Sequence, residues 1–172
     1  MERSLSKLTL NKAKSQISFT IDHLVISKVV GKFNTFGGYI ETCGDLCVDY
    51  AELDIDSESL ETGNSVRDRN LRGKNYFNCK KYPEILCTVR NVKLKNYFTN
   101  TVEVNVKIKD IEKTLKFDLF LLSYSLKNIS VRVIGKINTG DFNLKWQSPF
   151  IPSAVIGSEA RVEAYLTFEK TS

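Results

Sequence analysis

An all-β chain closing into an antiparallel barrel is the fold this sequence predicts, and three observations predict it. Apolar and polar residues alternate with period two along most of the chain, which is the signature of strands with one buried face. No long stretch carries the 3.6-residue period of an amphipathic helix. The 172 residues hold only three prolines and no Gly/Ser/Pro-rich linker, so a single domain with one core is expected over 1–172.

In the first long strand, Ile17, Phe19, Ile21, His23 and Val25 share one face, and Ser18, Thr20 and Asp22 the other. The aromatic, glycine-rich segment from Gly31 to Ile40 suits a bent strand after a turn. Ala51, Leu53 and Ile55 then alternate with Glu52, Asp54 and Asp56. Between residues 58 and 81 the alternation stops. This polar segment, with Val66, Asn70 and Leu71 in position for a short helical turn, reads as a cover, since loops of this length tend to be functional.

Alternation resumes with Ile85, Cys87 and Val89, then with Val102, Val104, Val106 and Ile108. Leu115, Phe117, Leu119 and Leu121 follow, with Phe120 and Leu122 making both faces apolar at the end. Ser130–Lys136 and Phe142–Trp146 are two further candidates, and Val162, Ala164, Leu166 and Phe168 close the series. The total is about eight or nine strands. A barrel of about eight strands removes every exposed edge, and its interior is either filled by side chains or holds one small ligand. Alternation is compatible with both.

A net charge of +5 is spread along the chain among Asp and Glu, unlike the clustered basic element of a nucleic-acid binder, and no nucleic-acid partner is expected. The excess leaves peripheral contact with an anionic membrane open. No run approaches the roughly 20 apolar residues of a membrane-spanning helix. The Met1–Lys7 start has no apolar run of signal-peptide length, so the cytoplasm is the expected location, or the periplasm if a leader has been removed. Cys43, Cys47, Cys79 and Cys87 are too few and too scattered for a disulfide framework. With one histidine in the chain a zinc site would need nearly all thiolates, so neither metal nor cofactor is expected.

The order of residues carries more than their composition. Ser15, Ile17, Phe19, Ile21, His23, Gly31, Phe33, Phe36 and Gly38 fall on a strand-turn pattern that resembles the opening of the YceI-like, polyisoprenoid-binding family. Ser59–Gly63, then Arg67, Asp68, Leu71 and Arg72, then Phe77 and Tyr82-Pro83 resemble its next three motifs, in the same order. The second half departs more. Asp110 and Thr114 stand where that family has glycine and proline, and Thr139 and Asn143 where it has arginine and glycine, although Asp141, Phe142 and Leu144 match.

The resemblance implies a lipocalin-like, extended eight-stranded barrel, non-enzymatic, often dimeric, often periplasmic and typically bacterial. Its elongated cavity would hold a long-chain isoprenoid, isoprenoid quinone or fatty amide for transport, storage or sensing. Taken alone, Ile17, Phe19 and Ile21 would be packed core; under the resemblance they line the cavity. His23 is either a satisfied, partly buried residue or a hydrogen-bond partner for a ligand head group. Arg67 and Asp68 form either a local ion pair that fixes the loop or a polar gate at the mouth. Phe33, Phe36, Phe77 and Phe142 are candidate wall residues because they fall on matched positions, and Tyr165 is expected to face outward. The alternative is a structural or interaction module with a side-chain-filled interior and no ligand. An enzyme is not expected: paired inward carboxylates, a nucleophile elbow and metal-ligand spacing are all missing.

Overall fold

The computed structural model describes residues 6–23, 28–144 and 156–171. Eleven strands and one short helix follow in the order β1 (Ser6–Leu10), β2 (Gln16–His23), β3 (Lys28–Phe33), β4 (Phe36–Thr42), β5 (Cys47–Asp56), β6 (Leu60–Glu61), α1 (Ser65–Arg72), β7 (Glu84–Lys93), β8 (Thr99–Ile108), β9 (Ile111–Tyr124), β10 (Asn128–Asn138) and β11 (Ile156–Glu169). Hydrogen bonds run β1-β4-β5-β7-β8-β9-β10-β11 and return from β11 to β1, which closes eight antiparallel strands into a barrel. Closure leaves those strands without the unpaired edges that invite aggregation.

The spine is β11. Its Ala160–Tyr165 stretch pairs with β2 through Ile21–Gln16, and its last residues pair with β1 through Thr9 and Leu10. A 3₁₀ turn at Lys12–Lys14 separates β1 from β2. Ser15 knits that break to the spine: its hydroxyl donates to Asn11 O and accepts from Thr167 N at 3.0 Å. The aromatic segment at 31–40 is two strands, β3 and β4, parted at Asn34–Thr35, where Asn34 N bonds Ser59 O and Asp56 N bonds Thr35 O. The β8–β9 turn at Lys109-Asp110 closes tightly, with Ile108 opposite Ile111 and Lys109 at φ 60°.

The expected helical turn in the cover is α1. Asn64 caps it, its side chain accepting from Arg67 N at 2.9 Å, which satisfies one of the donors a helix start leaves free. The ends of the cover are tied together: Ser57 N donates to Pro83 O at 2.8 Å and Ser57 Oγ to Tyr82 O at 2.9 Å.

The expected strand at Phe142–Trp146 does not form where it is described. Thr139–Phe142 is a 3₁₀ turn ending at Asn143 in the left-handed region, and 145–155 lies outside the described residues. Asn138 draws the chain into this turn by accepting from Gly140 N.

Candidate ligand cavity

Period two sends every second side chain of a barrel strand inward. In β8 and β9 those are Val102, Val104, Val106 and Ile108, then Phe117, Leu119 and Leu121, as the alternation predicts. Their tips do not meet across the barrel. They surround a cavity of about 250 Å³, lined from β2–β5 and from β7–β11. Leu53, Leu119 and Val133 point inward yet are only partly buried, because their remaining accessible surface faces this space. The cavity therefore speaks for a hollow barrel over the alternative of a side-chain-filled interior.

Two glycines hold the lumen open. Gly31 of β3 stands opposite Phe19 of β2. A β-carbon there would lie 2.2 Å from Phe19 Cζ, far inside contact distance. The same arrangement recurs on β10, where a β-carbon on Gly135 would lie 2.1 Å from Phe117 Cδ1. In each case the phenyl ring lies flat against the bare backbone of the neighbouring strand instead of crossing the cavity.

The wall is almost all carbon. Two polar residues that border it are turned elsewhere: Ser18 Oγ donates to Glu163 O, and the Glu52 carboxylate accepts from Tyr50 Oη at 2.5 Å. That hydrogen bond pushes the Tyr50 phenol up to about 12. Burial alone pushes the Cys87 thiol up to about 12, so this sulfur borders the cavity as a neutral group. At the end away from α1, Tyr124 borders the cavity and donates its phenol to Gly44 O at 2.9 Å; burial raises its pKa.

Of the residues singled out from sequence, Ile17, Phe19, Ile21, Phe33 and Phe77 line the cavity. Phe33 joins two of them, its ring centroid 5.7 Å from Phe19 and 6.1 Å from Phe77, which brings the cover onto the barrel through an edge-to-face contact. Phe36 and Phe142 belong to the core instead, outside the cavity wall; Phe142 is fully buried beneath its 3₁₀ turn. His23 ends β2 opposite Ile156, but its side chain lies outside the described residues. Val25 and Trp146 also lie outside them. Tyr165 faces outward.

Arg67 and Asp68 neither line the cavity nor pair with each other; both converge on Thr62. Arg67 Nε donates to Thr62 Oγ1 and Nη2 to Thr62 O, both at 2.8 Å. The buried Asp68 carboxylate accepts from Thr62 N at 3.0 Å and from Thr62 Oγ1 at 2.5 Å. Together they fix the chain entering α1. Arg72 is half-buried and has no ion pair among the described residues: Nη2 donates to Leu60 O, and its buried Nε has no partner among them.

Sequence reasoning missed three features. The wall contributed by the second half, such as Val133 and Val162, carried no motif, only alternation. The Gly–Phe pairings depend on cross-strand register, which one strand's sequence does not encode. Cys43 and Cys47 are joined in a disulfide across the β4–β5 turn, with Cα atoms 5.1 Å apart. Their C-x3-C spacing was the available signal, and the hairpin that brings them opposite each other was not visible in it.

A closed antiparallel barrel with an apolar lumen and a tethered cover is a lipocalin-like architecture. The chain belongs to the YceI-like domain family, whose model matches residues 8–168. A UPF0312 protein of Staphylococcus aureus is 26% identical over 95% of this chain and 98% of its own length. Among solved structures, Burkholderia cenocepacia BcnA superposes with a TM-score of 0.79 at 17% identity, covering 92% of this chain and 98% of its own. A polyisoprenoid binding domain from Saccharophagus degradans, implicated in plant cell wall breakdown, gives 0.75 at 19% identity, covering 98% of this chain and 100% of its own.

Proposed function

We propose that this protein binds a long, narrow apolar or amphiphilic molecule, of the isoprenoid or long-chain lipid class, inside the barrel, and carries, stores or senses it without transforming it. The cavity carries this reading. At about 24 cal/mol per Å³, leaving about 250 Å³ of apolar volume empty costs on the order of 6 kcal/mol, comparable to the whole net stability of a domain. Water is a poor occupant of this space, because a wall that is almost all carbon offers it few of the polar partners it needs. The size stands near the small end of the roughly 300–1,000 Å³ typical of ligand pockets, which favours a slender chain over a bulky ring system.

The likeness to a polyisoprenoid binding domain supports the ligand class. The absence of chemistry rests on the wall, where the Glu52 carboxylate is bound to Tyr50 and the Cys87 thiol is held neutral. Of the two locations the sequence suggests, the Cys43–Cys47 disulfide favours the oxidising, extracytoplasmic one.

Native mass spectrometry of protein purified from its own host tests the reading. The expected result is an adduct that dissociates into organic solvent as a lipid-like mass. Empty, well-folded protein that also refuses polyprenyl and long-chain acyl compounds would overturn it.

A further inference from the structure

We propose that the end of the barrel opposite α1 docks on an anionic lipid surface, inserting Phe98 and Leu126. Both side chains are almost fully exposed, at 78% and 77%. Singly exposed apolar residues need no explanation, but these stand on two neighbouring loops with Tyr97, also exposed, and beside the exposed Leu122 near the end of β9. The β7–β8 loop abuts β9, where Leu121 N donates to Phe98 O at 2.9 Å and the Tyr97 ring lies 6.2 Å from Tyr124. Leu126 caps the β9–β10 turn at the other end of the same strand segment.

Neither loop is slack. Asn96 Oδ1 accepts from Phe98 N and Thr99 N, and the buried Asn100 side chain binds Lys95 N and Asn96 O. Ser125 accepts through Oγ from Lys127 N and Asn128 N, while Ser125 N donates to Asn128 O. Two hydrogen-bonded turns thus spend their polar groups internally and point apolar side chains outward. Presenting them this way avoids much of the ordering cost on binding.

The surrounding charge identifies the occupant. Lys93, Lys95, Lys127 and Lys170 are exposed at this end, and none has an ion-pair partner among the described residues. Lys170 N donates to Lys127 O at 3.0 Å, which sets two of them side by side. Of two carboxylates at this end, Glu169 is paired with Lys14, while Asp45 accepts from Tyr97 Oη and has no ion-pair partner among the described residues, so the four lysines outnumber it. Lysine is depleted from protein–protein interfaces, whereas lysines flanking aromatic and aliphatic side chains suit the headgroup region of an anionic bilayer. The same end of the cavity is bordered by Tyr124, so docking would set the lumen against the membrane. The proposal stands on the rim and not on what the cavity holds: vesicle binding and ligand extraction can each fail while the other succeeds.

The test is flotation with vesicles of phosphatidylcholine alone and vesicles in which about a third of the lipid is phosphatidylglycerol. The wild-type protein is expected to float with the anionic vesicles, and less so at high salt. Phe98→Ser/Leu126→Ser should lower that binding at least about tenfold, since burying either side chain is worth about that factor. Lys95→Glu/Lys127→Glu should abolish the preference for anionic lipid, and Val30→Ser/Val66→Ser, at residues exposed outside this rim, should change nothing. Circular dichroism confirms that each variant is folded, and wild-type binding by Phe98→Ser/Leu126→Ser overturns the proposal. So does a wild-type protein that ignores anionic vesicles, including one that forms a dimer which Phe98→Ser/Leu126→Ser dissolves; the occupant would then be a second copy of the chain.

Discussion

Replacing Gly135 with alanine tests whether the lumen is held open by rings resting on bare backbone. The new β-carbon would lie 2.1 Å from Phe117 Cδ1 and 2.5 Å from Cε1, against an optimal carbon–carbon separation of about 3.5–4.0 Å. The ring must therefore retreat by more than about 1 Å, and the cavity is the open side. Turning it off its preferred rotamer costs roughly 0.5–1.5 kcal/mol. Removing glycine from a strand returns about 0.5–1 kcal/mol. The net change in stability should stay within about 1 kcal/mol. Uptake of a fluorescent long-chain polyene should nevertheless fall at least about tenfold, because the ring occupies the lumen. Trimming the ring by Phe117→Leu in the same background should restore uptake. Urea denaturation and ligand titration of delipidated protein read the two quantities. A loss of 3 kcal/mol or more would mean the ring has nowhere to go and the interior is packed, and unchanged uptake would mean Phe117 does not gate the space.

Asp68→Ala should cost about 1–2 kcal/mol, because it removes the buried carboxylate that two partly buried donors of Thr62 now bond; faster proteolysis within 62–83 should accompany it, and a change below about 0.5 kcal/mol would show that the cover is held elsewhere. Arg132 beside Glu163, and Lys14 with Asn11 beside Glu169, hold both carboxyl groups below their ordinary 4.5. The unfolded chain therefore binds protons first. Melting temperature should hold above that value and fall as acid titrates the folded carboxylates, and Glu163→Gln/Glu169→Gln should shrink the fall only modestly because both pairs are partly exposed. Cys87 should resist aromatic disulfide reagents at neutral pH until the protein unfolds, since its thiol is neutral and faces only the cavity. Reducing Cys43–Cys47, which closes a very short loop, should lower stability by no more than about 2 kcal/mol on the chain-entropy scale, measured as the shift in denaturation midpoint with added reductant.

Most of the barrel was legible because strand faces are a local property. Val102–Ile108 and Leu115–Leu121 alternate so regularly that their inward residues follow from spacing alone. The motifs around Ile17–Phe33 and Leu71–Phe77 located part of the wall and its cover. Phe142 and Phe36 misled, since a matched aromatic position does not say whether a ring faces the lumen or plugs the core beside it. Arg67 and Asp68 misled in another way: adjacent opposite charges suggest a pair, whereas in the helix start at α1 both reach back to Thr62.

By itself the sequence determined that this chain is one antiparallel barrel, which faces point inward, and where the cover lies. Period two and turn chemistry act over a few residues, and a linear reading captures them. Whether the inward side chains meet was decided only in three dimensions. Phe19 rests on Gly31 and Phe117 on Gly135 because the strand register sets each ring opposite a residue with no side chain. Hollowness is a property of distances across the barrel, set by closure and register between strands far apart in the chain.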